Sequence, residues 1–183
     1  WEIVHTIRSG AIVTDMLKPT DYFAYWLSRD LGRALAHILV RGVPTLAIGA
    51  LLYDLVTPHA LSRWLAFVAS VPLAVVVSFC VRFLLNLWGF WVLDHRGIAG
   101  IGMVMVGVFS GHLLPLAWYP SGMRDVLNLL PFRAIIMLPV EIFLGQVSIA
   151  EGLALQLFWV VVMIGASRSL LMIAERKVVV QGG

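Results

Sequence analysis

SGHLLPLAWYPSGMRDVLNLLPFRAIIMLPVEIFLG, residues 110–145, decides how this chain is read. It is apolar, yet Pro115, Pro120, Pro131 and Pro139 cut it into pieces of about a dozen residues or fewer. A helix needs about 20 apolar residues to cross a bilayer, so pieces this short are re-entrant or interfacial rather than spanning. Non-helical backbone survives at membrane depth only when packed in protein or lining a cavity. The segment is therefore expected to form a helical hairpin over 121–145, dipping in from the outer face. A plain external loop with one amphipathic helix is the competing reading.

The rest of the chain supports a membrane setting. Of 183 residues, 61% are hydrophobic and 13% charged. Mean hydropathy is +0.95. Soluble domains carry about twice that charged fraction. Four long apolar runs are expected to span, at 34–53, 64–93, 97–119 and 152–174, in a single all-α polytopic bundle covering 1–183. The third run holds no Asp, Glu, Lys or Arg. The net charge of +3 does not indicate nucleic-acid binding. Arg and Lys at the ends of apolar runs give the same total through the positive-inside bias. Arg8, Lys18, Arg29, Arg33, Arg96, Arg176 and Lys177 flank one side, against Arg63, Arg124 and Arg133 on the other. Both ends of this piece are therefore expected in the cytoplasm, at the cell membrane.

Ahead of the first run, RSGAIVTDMLKP has a start and a stop. Ser9 is a good N-cap, and Pro19 disfavours helical geometry at Lys18. Between them Ile12, Val13, Met16 and Leu17 form one apolar face of a short helix, 9–18. So short a helix is marginal alone and needs a surface to dock on. That surface is either the membrane or bundle, or a partner. A second helix, 21–33, is capped by Asp21. Its Tyr22, Phe23, Tyr25 and Trp26 read as an interfacial aromatic belt leading into the first span.

Chemistry is sparse. Cys80 is the only cysteine, and the five histidines are dispersed without metal-ligand spacing. No GxxxxGK[ST] phosphate loop is present, so the chain has no ATP-binding motif of its own. The candidates are intramembrane polar groups, which are costly and face protein, water or a partner. These are Arg41, Arg82 with Asn86 four residues on, His112 after Gly111, and Glu141 in the hairpin. Each is read either as part of a structural polar network or as a site on a translocation path. Gly107 and Gly111 form a GxxxG, read as packing.

Three blocks carry a resemblance. The first is IRSG…LKPTDY. The second is Ser110-Gly111…Leu114-Pro115-Leu116…Tyr119-Pro120. The third runs from Leu130-Pro131-Phe132 through Pro139 and Leu144-Gly145 to the last span and Val180-Gln181-Gly182-Gly183. In this order the chain resembles an ABC-2 type transporter permease, in the branch associated with export of drug-like compounds. That family has six spans, so the four here match its third to sixth, with the N-terminal part expected to be missing. The resemblance implies that 9–18 is a cytoplasmic coupling helix, with Ile12, Val13, Met16 and Leu17 docking on a separate ABC ATPase subunit. That subunit would bind ATP and Mg, and this chain would hold no cofactor. It also implies a second permease copy or homologous permease, membrane lipid and a small hydrophobic or amphipathic substrate as partners. The competing function is an ATP-independent membrane transporter or scaffold. That class calls for intramembrane carboxylates, which the four runs lack in their interiors.

Overall fold

The computed structural model describes residues 20–91 and 95–176, excepting the side chains at 95, 96, 98 and 99. The proposed coupling helix 9–18 lies outside the described residues. Among them every regular element is helical. Helix α1 is Tyr22–His37. It runs through a π turn, Ile38–Gly42, into α2, Val43–Leu52. Helix α3 is Leu61–Leu87, extended by a 3-10 turn, Trp88–Phe90. Helix α4 is His95–Phe109, α5 is Ser121–Asn128, α6 is Met137–Leu144 and α7 is Ile149–Glu175. Among the described residues, three helices are long and apolar enough to cross a membrane: Tyr22–Leu52, Leu61–Phe90 and Ile149–Glu175.

The first rod departs from expectation. An interfacial helix at 21–33 and a span at 34–53 were separate readings; here they are one continuous helix of 31 residues. Asp21 caps it as expected, accepting from the Ala24 amide at 2.6 Å. The aromatics are not a belt. Tyr22, Phe23 and Trp26 are buried. Phe23 packs edge-on against Phe79 at 5.5 Å and Phe83 at 5.2 Å. The spacing i, i+1, i+4 puts these three rings on one helix face, and α3 offers a phenylalanine face to receive them. Tyr25 alone of the four turns outward. The π turn has a cause in Pro44. A proline within a helix donates no hydrogen bond and crowds the carbonyl four residues back, here that of Val40. The ladder widens just before it, and the Val43 amide donates to the Ile38 carbonyl.

The expected third span, 97–119, is not one helix. Helix α4 stops at Phe109, 15 residues after it starts, roughly 22 Å at 1.5 Å per residue. Gly111 then takes φ +84°, a left-handed conformation that breaks the helix and is costly for any residue with a side chain. A short 3-10 turn, Leu116–Trp118, follows. Pattern reading carried the span on to 119, through Pro115, but the glycine ends the helix sooner. The second and fourth runs, 64–93 and 152–174, appear as Leu61–Phe90 and Ile149–Glu175.

The core forms where α7 and α6 pack on α3. Val77, Cys80, Phe83 and Leu87 line the buried side of α3. Helix α6 presents Leu138 and Ile142 to it, both almost fully buried. Arg168 Nη2 lies 3.4 Å from Asp21 Oδ1, so the start of α1 and the last turns of α7 share one end of the bundle. At the other end, Arg63 near the start of α3 donates to the Ile142 carbonyl at the end of α6. Helix α4 connects the two levels: Gly102 lies against Leu85, and Phe109 stacks near Phe132 at 5.8 Å.

Candidate functional site

The site grows from a spacing on α1. Asp30, Arg33, Ala34 and His37 recur every three or four residues and so share one helix face. On α3, Phe67, Val71, Ala74, Ser78 and Arg82 do the same. The two faces oppose each other across a cleft of about 560 Å³, with Ile135, Ile136 and Pro139 forming its third wall. A second, wholly apolar recess of about 370 Å³ adjoins it, shares Ala34, Ile38, Phe67, Val71 and Val75 with it, and extends to Leu31, Leu35 and Pro72.

Arg82 defines the polar end. Its Nη1 and Nη2 donate to the two carboxylate oxygens of Asp30 at 3.2 and 2.7 Å. Its Nε donates to the Ser78 carbonyl at 3.2 Å. The fork-to-carboxylate match is the strong geometry for such a pair. Asp30 is largely buried, with 11% of its side chain exposed, and Arg82 keeps 38%, on the cleft. The Asn86 amide donates to the Arg82 carbonyl at 2.6 Å. The structure thus joins Arg82 and Asn86 and supplies the missing partner. Asp30 escaped sequence reading because it fell in the stretch taken as interfacial, where a carboxylate is unexceptional.

The other candidates lie apart from this cleft. Arg41 sits in the π turn, exposed. His112 is exposed on the turn after Gly111. Glu141 on α6 accepts from Arg133 Nη2 at 2.8 Å and Nε at 3.2 Å, an intra-segment pair that ties α6 to the turn before it. Ile12, Val13, Met16 and Leu17 lie outside the described residues.

Sequence reading also passed over Gln156. Fully buried on α7, it accepts from the Ser70 hydroxyl at 2.7 Å and donates to the Ala134 carbonyl at 3.0 Å. One amide thereby ties α3, α7 and the turn before α6. A polar side chain within an apolar run was the available signal.

Long apolar helices, short broken helices between them and a buried ion pair at one end of a cleft define a multi-pass helical membrane protein. The model of the ABC-2 family transporter protein family matches residues 1–182, and the chain belongs to that family. No curated protein and no solved structure matches it.

Proposed function

We propose that the chain is the membrane-spanning permease part of an ATP-driven exporter. The family match over residues 1–182 carries this reading. Two permease copies, or this chain and a homologue, enclose the pathway. A separate ABC ATPase binds ATP and Mg and drives it. The load is a small hydrophobic or amphipathic compound moved outward from the cell membrane. The broken segment between α4 and α7 supports a re-entrant hairpin: α5 and α6 have eight residues each, roughly 12 Å, too short to span. The shared end of α1 and α7 supports placing both ends of this piece on the cytoplasmic side. With α4 completed by the turn after it, the crossings number four.

In this reading residues 9–18 form the coupling helix, with Ile12, Val13, Met16 and Leu17 on the ATPase. The double variant Ile12→Asp with Met16→Asp is expected to insert normally and lose substrate-stimulated ATP hydrolysis. A fully coupled complex co-purifying from that variant would remove the assignment.

One observation favours an ATP-independent carrier instead. Asp30 is a buried carboxylate within the first long helix, where proton or cation couplers reside. Its pairing with Arg82 answers this: both carboxylate oxygens already accept from a guanidinium within the chain, as in a structural ion pair. Transport that survives ATP depletion and stops with a protonophore would select the carrier.

A further inference from the structure

Two charges mark the bilayer on α3. Arg63 and Arg82 bracket a run without Asp, Glu, Lys or Arg. The rise between them is about 28 Å at 1.5 Å per residue, against a hydrocarbon core about 30 Å thick. Depths within the broken segment follow from its contacts. Ser70 lies roughly 10 Å below Arg63 along α3. It donates to Gln156, which in turn donates to the Ala134 carbonyl, so the 3-10 turn Pro131–Ala134 sits near that depth. Helix α4 rises from the opposite side. Gly102 lies against Leu85, about one turn beyond Arg82, and Phe109 stands roughly 10 Å further up. Helix α4 thus ends inside the hydrocarbon layer. Helix α5 is tied to this sunken ground at both ends. Before it, the Tyr119 hydroxyl donates to the Val108 carbonyl at 3.2 Å. After it, Phe132 meets Phe109 at 5.8 Å. Yet α5 is sharply two-sided. At about 100° per residue, Ser121, Arg124, Asp125 and Asn128 share one face, with Met123, Val126 and Leu127 opposite. Leu127 is buried, whereas Arg124 and Asp125 are exposed. Neither forms an ion pair among the described residues, unlike Arg82 with Asp30 and Arg133 with Glu141. Ionisable side chains at membrane depth face protein partners or a water-filled cavity, and broken backbone there obeys the same rule.

We propose that the polar face of α5 lines a water-filled vestibule, open to the outer side and sunk to the depth of the Pro131–Ala134 turn. Ser121, Arg124, Asp125 and Asn128 meet its water, and Met123 and Val126 lie against bilayer hydrocarbon. The inference deepens the permease reading and rests on it for which side of the membrane is outside. Its test reports water rather than transport, so its failure leaves the coupling experiment above untouched.

The test uses the full chain in intact cells, in a Cys80→Ala background, with two impermeant thiol reagents added outside. One is a small charged methanethiosulfonate, the other a polyethylene-glycol maleimide of several kilodaltons. Ser148→Cys, at the outer start of α7, is the surface reference and should react with both. Arg124→Cys and Asp125→Cys should react with the small reagent about ten-fold faster than Met123→Cys and Val126→Cys. With the bulky maleimide they should react about ten-fold slower than the reference, because a vestibule admits the one and excludes the other. Bulky-reagent rates equal to the reference would place α5 on the outer surface and overturn the proposal. Equal small-reagent rates on the two faces would also overturn it. So would no reaction at either polar position while the reference reacts, since lipid or a second copy would then cover that face. If the variants at Arg124 and Asp125 do not reach the membrane, Ser121→Cys and Asn128→Cys, which keep both charges, decide by the same comparison.

Discussion

Asp30 and Arg82 are separated by more than fifty residues and meet through a two-pronged bond. Removing either partner leaves the other desolvated without its counter-charge. We expect Asp30→Asn and Arg82→Ala each to cost roughly 1–3 kcal/mol. The low end applies, since Arg82 is over a third exposed and solvent screens it. Both variants should melt earlier in detergent, and the exchange Asp30→Arg with Arg82→Asp should recover part of the loss. Single variants that melt with the parent would refute a structural role for the pair. Arg82→Lys should rescue only partly, because an ammonium keeps the charge but not the planar fork. Arg82 was legible in the sequence, since a cation in an apolar run demands an answer. Its answer was not legible. Asp30 lay in a stretch read as interfacial, and a contact between helices so far apart in sequence arises from packing that one-dimensional pattern does not contain. Gln156 was missed for the same reason: its partners, Ser70 and Ala134, belong to other elements.

Helix α6 shows how the broken segment is held. Its C-terminus closes on Gly145 at φ +77°, with the Gln146 amide donating to the Glu141 carbonyl at 2.9 Å. This is the left-handed closure glycine permits. Arg63 reaches over it to the carbonyls of Ile142 and Val147, placing a cation where the helix dipole is negative. A Cβ on Gly145 would stand 3.1 Å from the Arg63 Cζ. Gly145→Ala therefore combines an unfavourable backbone with a crowded guanidinium and should cost roughly 1–3 kcal/mol. Thermal denaturation of the variant checks this, and an unchanged midpoint would mean the Arg63 clasp is dispensable. Proline spacing foretold that the segment breaks. It did not foretell that Arg63, counted in the sequence as an external flanking charge, is a helix clasp. Nor did it foretell the stop at Phe109, set by Gly111 before any proline is reached. The cap at Asp21 was read correctly because its signal is local.

At the scale of the whole molecule, the all-helical membrane character followed from composition and run length alone. The pairing of helices did not. The topological reading is open to direct measurement. Cysteines at Ser121 and Ser148 in a Cys80→Ala background should both react with an impermeant reagent from outside, and one at Gly97 only from the cytoplasm. Labelling of Ser121 and Ser148 from opposite sides would show that the segment between them crosses, and would replace the four-crossing scheme. The long first rod divides unevenly: its lower part is pinned to α3 by Phe23, Trp26 and Asp30, whereas no residue from 35 to 53 is buried within the chain. Between these parts lies the π turn. Each helical residue advances the azimuth by about 100°, and a π turn carries one residue more than an α turn. The upper rod is thus set out of phase with the lower one, as a keyed shaft is with its hub. Deleting one residue between 38 and 42 would swing every side chain of α2 by about that angle and leave the Asp30–Arg82 bond in place. The orientation in which α2 meets lipid or a neighbouring subunit is therefore inherited from five residues, and is independent of the packing that anchors the rod below.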